Sequence, residues 1–136
     1  MNPSNKNETL VCEFFATLGA GDFAATRALL SAEATWTVMP SAVPGSGVHR
    51  GHKAIFDEFL IPLRATLFEP DSMTGAMDSL LSKGSMVVTE TRAFGRLKNG
   101  KDYHNHYVFV FEVVDDKIVA VREYMDSHYI MASLAS

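Results

Sequence analysis

Polar side chains in the last third of the chain recur at a spacing of two residues. In a β-strand, residues two apart point to the same face. Carboxyl, hydroxyl and amide groups brought together among aromatic rings could move a proton and hold a substrate oxygen, which is the chemistry of general acid–base catalysis. The pairs with this spacing are Glu90 and Arg92, Asn105 and Tyr107, and Tyr124 and Asp126.

Asp126 is the first candidate for the catalytic acid or base. It follows Tyr124 by two residues, and a carboxylate packed against aromatic rings is disfavoured in its charged form, which suits proton transfer near neutral pH. Tyr107 and Tyr124 could donate hydrogen bonds to a substrate oxygen. The structural alternative is an aspartate that accepts hydrogen bonds from Asn105 or from backbone amides and holds the strand end in place.

Glu90 and Arg92 suggest a second arrangement, in which a cation orients an acid. The alternative is a structural ion pair in a pocket wall, because buried charges need partners whether or not they take part in a reaction. Aromatic rings and one amide would complete the ligand contacts. We expect these side chains to be Asn105, Trp36, Phe109 and Phe59.

The secondary structure that must position these residues is predicted by hydrophobic periodicity. Pro62 is expected to kink or divide the third helix. The predicted helices cover residues 8–18, 23–30 and 52–67, the strands cover 34–39, 75–81, 86–96, 103–114 and 117–126, and 40–51 is a loop. About three helices followed by a meander predict an α+β fold, with a curved antiparallel sheet that encloses a pocket.

Two turns determine the predicted pairing of the last three strands. Asn99-Gly100 and Asp115-Asp116 are both suited to two-residue hairpin loops. The resulting face mixes aromatic rings with a few polar groups, as small-molecule pockets do, although a single bulge would shift its rows. The predicted rows are Glu90–Phe109–Arg122, Arg92–Tyr107–Tyr124 and Phe94–Asn105–Asp126.

The opposite face of this sheet carries few charges and includes His104, His106, Val108 and Val110. Since three helices can cover only one side of a sheet, the other side needs a partner. We therefore expect a homodimer through the outer sheet face. The two histidines lack an obvious third ligand, so packing at this interface is favoured over a metal site.

Composition narrows the function further. A net charge of −4 and a pI near 5.7 argue against a nucleic-acid partner. The single cysteine, Cys12, excludes an internal disulfide, and no phosphate loop or dinucleotide fingerprint indicates a cofactor. The sequence lacks a signal-peptide pattern and a membrane-spanning apolar stretch, so we expect a cytoplasmic protein with no membrane partner. Residues 1–7 are predicted to be a disordered lead-in and 8–136 a single domain.

Several motifs together resemble the SnoaL-like and ketosteroid-isomerase-like branch of the nuclear transport factor 2-like superfamily. The resemblance covers nearly the whole chain and implies a cone-shaped sheet wrapped on helices around a deep pocket. Its epoxide-opening members use an Asp–Arg–Asp set, whose second acid is absent here. The motifs are GDF at 21–23, HRG at 49–51, FLIPL at 59–63, VVTETR at 87–92, YHNHYVFVFEV at 103–113 and KIVAVREYMD at 117–126.

These observations predict an enzyme without a cofactor that acts on a hydrophobic, oxygenated small molecule by general acid–base catalysis. Isomerisation, aldol-type cyclisation and dehydration all fit the candidate residues. Because members of this superfamily catalyse different reactions on one fold, the fold does not select among them. The alternative is a non-catalytic module of the same fold that only binds a ligand or forms a dimer.

Overall fold

The computed structural model describes residues 2–135, so Met1 of the predicted lead-in and Ser136 of the predicted domain lie outside the described residues. The helices are α1 (Lys6–Gly19), α2 (Phe23–Leu29), a π-helical segment (Lys53–Leu60) that continues into α3 (Ile61–Leu67), and α4 (Ser127–Leu134). The strands are β1 (Leu30–Val38), β2 (Gly47–Arg50), β3 (Thr74–Lys83), β4 (Met86–Arg96), β5 (Asp102–Val114) and β6 (Lys117–Met125).

The six strands form one curved, unclosed sheet in the order β2-β1-β6-β5-β4-β3. All neighbouring strands are antiparallel except β1 and β6, which pair in parallel. The parallel pair is possible because most of the chain separates the two strands, and a parallel pair needs a long connection. The predicted α+β class is confirmed, with a mixed sheet in place of the antiparallel one.

Polar caps and one proline account for the helix boundaries. The Asn5 side chain accepts a hydrogen bond from the Glu8 amide, so α1 begins at Lys6, earlier than the predicted start at residue 8. Asp22 caps α2 in the same way. Pro62 lies in the first turn of α3, directly after the π-helical segment, and divides the long helix as predicted.

Two elements were missed by the sequence prediction. The predicted loop at 40–51 contains β2, whose residues pair with the end of β1. Four residues that include a glycine carry too little periodicity to predict a strand. The second missed element is α4, which follows the last predicted strand. Asp126, the final residue of that predicted strand, caps α4 by accepting a hydrogen bond from the Tyr129 amide at 3.0 Å.

The first hairpin is one residue out of the predicted register. Arg96 pairs with Asp102 and Thr91 with Tyr107, so the predicted pairing of Arg92 with Tyr107 is wrong. The loop has three residues, 98–100, and is closed by a hydrogen bond from the Leu97 amide to the Lys101 carbonyl. Gly100 has a φ of +90° there. A glycine with positive φ is the residue that a three-residue hairpin loop requires.

The second hairpin turns at Asp115 and Asp116 as predicted, and Val113 pairs with Ile118. A bulge then leaves Val119 without a partner, because Glu112 pairs with Ala120. Beyond the bulge every pair on β6 is shifted by one residue.

Because of these two shifts, the side chains of β4 and β6 that were predicted to face the helices lie on the outer face of the sheet, and their neighbours face the helices. β5 presents Asn105, Tyr107 and Phe109 to the helices, as predicted. Against them lie Thr89, Thr91 and Ala93 of β4 and Glu123 of β6, rather than the predicted partners. A one-residue slip moves a whole strand's side chains to the other face, so the three predicted rows, which place Glu90, Arg92, Phe94, Arg122, Tyr124 and Asp126 on the pocket face, are wrong.

The core lies between α1 and the helix-facing side of the sheet. Phe14 is fully buried and contacts Phe15, Trp36 and Phe111 with ring centroids 5.1–5.5 Å apart. The contacts with Phe15 and Phe111 are edge-to-face, which adds specific geometry to the area that each ring buries. This aromatic layer forms the floor of a cavity between the helices and the sheet.

Candidate active site

A cavity of about 720 Å³ lies between the helices and the inner face of the sheet. Its volume suits a drug-sized organic molecule. The helices contribute Phe15, Phe23 and Leu63, while the sheet contributes Trp36 and Phe109. The wall is therefore mostly apolar, and its few polar groups are the candidates for ligand recognition and catalysis.

Glu123 is the carboxylate in this wall. The Trp36 indole N–H donates a hydrogen bond to its Oε1 at 2.8 Å, and no other side-chain partner is found for it within residues 2–135. Burial disfavours the charged carboxylate and raises the pKa of Glu123 from 4.5 to about 7, an effect that the Trp36 hydrogen bond only partly opposes. The group can therefore exchange a proton near neutral pH.

A chain of three side chains on β5 ends at Tyr107, which also lines the cavity. The Asn105 amide donates to the Tyr103 hydroxyl at 2.9 Å, and the Tyr103 and Tyr107 hydroxyls lie 2.7 Å apart. Burial raises the pKa of Tyr103, and burial, reinforced by the nearby Tyr103 hydroxyl and Glu123 carboxyl group, raises the pKa of Tyr107 well above its ordinary value. Both phenols are thus neutral. When Tyr103 donates to Tyr107, the Tyr107 proton is left for a ligand oxygen.

Four of the predicted site residues line this cavity through rings that face it: Tyr107, Trp36, Phe59 and Phe109. Asn105 is 1% exposed and lies behind them, bonded to Tyr103. Arg92 also borders the cavity, but its guanidinium forms two hydrogen bonds with Asp78, at 2.7 and 2.8 Å. The structure therefore brings together the predicted aromatic wall and one of the three predicted catalytic groups.

The other predicted site residues lie elsewhere. Glu90, Tyr124 and Asp126 line a second, smaller pocket of about 440 Å³. Glu90 is exposed and accepts a hydrogen bond from Ser79 at 2.8 Å, and Tyr124 is 38% exposed on the outer face. The register shifts described above are the reason, because they turn these side chains of β4 and β6 away from the helices.

A model of the SnoaL-like domain matches residues 11–121. This chain belongs to the SnoaL-like family. The match spans most of α1, all of α2 and α3 and most of the sheet, and it ends two residues before Glu123. A search of curated proteins finds no match to this SnoaL-like chain.

Solved structures share the fold at low sequence identity. An NTF2-like protein of unknown function from Burkholderia pseudomallei has a TM-score of 0.86 at 19% identity, over 97% of this chain and 99% of that one. An LEH-like epoxide hydrolase from M. tuberculosis has a TM-score of 0.73 at 19% identity, over 95% and 89%. A protein with a ketosteroid isomerase-like fold from Catenulispora acidiphila, in complex with trimethylamine, has a TM-score of 0.77 at 14% identity, over 97% and 92%.

Sequence reasoning missed three residues in or directly behind the cavity wall: Glu123, Tyr103 and Arg64. Glu123 lies one residue from Tyr124, so the shifted register concealed it. The signal that could have revealed it is the alternation of Val121, Glu123 and Met125 with more polar residues, since the apolar side of a strand usually faces the core.

The described part of the chain offers neither a metal-binding cluster nor a membrane-spanning helix. Within residues 2–135, no group of three or more His, Cys, Asp or Glu side chains could hold a metal ion. Within the same range, no helix is both long and apolar enough to cross a membrane.

Replacing Asp126 by alanine is expected to lower the free energy of unfolding by about 1 kcal/mol, because α4 loses its N-terminal cap. Asparagine caps helices as well as aspartate does, so Asp126→Asn should stay within a few tenths of a kcal/mol of the wild type. Urea unfolding of both variants measures this difference. Equal stability of the alanine variant and the wild type would contradict the capping role.

Proposed function

We propose that this SnoaL-like domain is an enzyme that binds a hydrophobic, oxygenated small molecule and moves a proton with Glu123, without a cofactor. The observation that carries the proposal is a carboxyl group with a pKa of about 7 in the wall of an apolar cavity of ligand size. A general base works best when its pKa is near the working pH. Glu123 takes the place that the sequence prediction gave to Asp126.

The reaction that the site supports best is isomerisation of an unsaturated ketone. The Glu123 carboxylate removes a proton from the carbon beside the carbonyl group, and the C–H electron pair moves into an enolate. Tyr107 donates its O–H to the enolate oxygen and stabilises the charge that develops there. The protonated Glu123 then returns the proton to the far end of the conjugated system, so atoms and charge balance. Aldol-type cyclisation and dehydration can begin from the same enolate.

The surroundings of both groups favour this assignment. Glu123 has one hydrogen-bond donor, Trp36, which holds the carboxyl group in place and leaves its second oxygen without a partner within residues 2–135. Tyr107 is oriented by Tyr103, which Asn105 holds in turn. A preorganised donor of this kind needs no rearrangement during the reaction.

The experiment is an isomerisation assay with a panel of cyclic β,γ-unsaturated ketones, in which the conjugated product is followed by its ultraviolet absorbance. Glu123→Gln is expected to lower kcat at least about a thousandfold, and Tyr107→Phe about a hundredfold. Because the base must be ionised, the wild-type rate should rise with pH through about 7. Glu33→Gln, on an exposed part of β1, is the matched control and should keep the wild-type rate.

Ligand binding without turnover in the wild type would contradict the enzymatic proposal and favour the alternative, a non-catalytic binding module. Binding is measured separately, by calorimetry with the same ketones. Turnover that survives in Glu123→Gln would exclude Glu123 as the base.

We also propose that a second copy of the chain packs on the outer face of the sheet. Met86, Val108 and Tyr124 are large apolar side chains exposed in the single chain, at 40, 37 and 38%. Charged side chains lie beside them, since Met86 pairs with Glu112 and Val108 with Glu90. Subunit interfaces commonly combine apolar and polar side chains in this way. The histidines at 104 and 106 lie on this same face, on alternate residues of β5 with Val108.

A further inference from the structure

Arg64 differs from the other arginines of the chain. It lies on α3, is half-buried and lines the cavity. Within residues 2–135, no carboxylate lies within 4.0 Å of it and no side-chain hydrogen bond satisfies it. Arg50 also lacks an acidic partner but is exposed. The remaining four arginines form ion pairs: Arg27 with Asp57, Arg92 with Asp78, Arg96 with Asp102, and Arg122 with Glu112.

The position of the Arg64 guanidinium is set by an aromatic ring. Its central carbon lies 5.0 Å from the centroid of Phe23, which is also part of the cavity wall. Stacking on a ring occupies the face of the guanidinium and leaves the N–H groups at its edge free to donate. A stacked, uncompensated guanidinium is therefore a preoriented donor for an anion.

Among residues 2–135, Arg64 is the cation of the cavity wall that has no acidic partner. Arg92, the other arginine in the wall, is neutralised by its two hydrogen bonds to Asp78. Burial lowers the pKa of Arg64, yet a guanidinium stays protonated in proteins. Partial burial of a charge without a counter-ion is unfavourable, so an anion that entered the cavity would relieve that penalty.

Arg64 on α3 and Glu123 on β6 both line the cavity, and within residues 2–135 no ion pair or hydrogen bond joins them. Burial raises the pKa of Glu123 against the opposing effect of the Trp36 hydrogen bond, and burial alone lowers the pKa of Arg64. Two opposite charges in contact would shift each other's pKa. A ligand could thus place an acidic group at Arg64 while another part of it lies beside Glu123.

We infer that Arg64 is an anion-binding subsite and that the ligand of this cavity is a hydrophobic molecule with a carboxylate at one end. The inference rests on the proposed function only in that the cavity takes up an oxygenated organic ligand. Arginine pairs with a carboxylate through two parallel hydrogen bonds, which gives orientation as well as affinity. The subsite would fix which ligand atom lies near Glu123.

The test compares 2-naphthoate with 2-naphthamide by isothermal titration calorimetry at neutral pH. The two probes share one ring system and differ in charge. The wild type is expected to bind the acid at least about tenfold more tightly, as a charge-assisted hydrogen bond allows. Arg64→Gln should remove this preference and leave the affinity for the amide within about twofold. Arg64→Lys, which keeps the charge, should retain part of the preference.

Arg27→Gln is the matched control, because Arg27 also stacks at 5.0 Å on a phenylalanine, Phe56, but lies outside the cavity. Its preference for the acid should equal that of the wild type. Equal binding of both probes by the wild type would overturn the subsite and leave the proposed function intact. A preference that survives in Arg64→Gln, or that Arg64→Lys loses entirely while the protein stays folded, would also overturn it. Failure of both probes to bind counts against the subsite and against cavity binding alike.

Discussion

Glutamine in place of Glu123 is expected to raise the free energy of unfolding by about 3 kcal/mol above about pH 8 and to change it little below about pH 4. The pKa of this carboxyl group is about 7 in the folded chain against 4.5 for the ordinary group. A folded state with the higher pKa binds the proton more tightly than the unfolded state does. Wild-type stability therefore falls as pH rises from 4.5 to about 7, and the loss is complete above that range.

A glutamine side chain does not ionise, so the variant escapes this loss while its amide oxygen can still accept from Trp36. Urea unfolding curves of both proteins at several pH values give the difference directly. Glu33→Gln, at an exposed site on β1, measures the effect of the same exchange where water surrounds the group in both states. A Glu123→Gln gain that is equal at all pH values would show that burial of the charge is not its cause.

Alanine in place of Gly45 is expected to lower the free energy of unfolding by about 3 kcal/mol. Gly45 has a φ of +80°, a conformation in which a side chain is strained. A methyl group there would also overlap the Phe59 ring, with Cδ1 at 2.9 Å. Phe59 cannot move aside easily, because His49 stacks on it with ring centroids 4.1 Å apart.

Gly84→Ala is the matched control for this substitution. Gly84 also has a positive φ, of +59°, but a methyl group there meets no atom within 4 Å. Its loss should be about 1 kcal/mol, the contribution of the backbone alone. Thermal or urea unfolding of the two variants separates the backbone strain from the overlap of the methyl group with Phe59. Equal losses in the free energy of unfolding would contradict that overlap. Since Phe59 lines the cavity, Gly45→Ala should also weaken the binding of cavity ligands.

The sequence was sufficient for the types of the elements that were predicted and for the inner face of β5, but not for β2 and α4. Tyr107 and Phe109 point toward the helices because the apolar alternation of that strand is strong. The boundaries of β4, Met86–Arg96, were predicted without error. Whether a segment forms a strand depends on the β-propensity of its own residues, which can be read from the sequence.

The register of strand pairing could not be predicted in the same way, because it depends on single residues in turns. Asn99-Gly100 suits a two-residue loop, yet Gly100 takes the left-handed position of a three-residue loop, and either choice satisfies the local chemistry. The bulge at Val119 has no signature of its own. Each shift reverses a strand's faces, which is how Glu123 replaced Tyr124 and Asp126 at the cavity. If the two faces of each strand had first been compared for apolar content, before residues were counted from the turns, the inner faces of both β4 and β6 would have been predicted correctly.

The parallel contact between β1 and β6 also bears on biosynthesis. The hydrogen bond from Trp36 to Glu123 joins residues 87 positions apart, and contacts of such long range form slowly in folding. A ribosome must release nearly the whole chain before β6 can dock beside β1. Until β5 and β6 are made, Phe14 and Phe15 lack the contacts with Phe111 and Phe109 that cover them, so the nascent chain exposes apolar surface of the kind that chaperones bind.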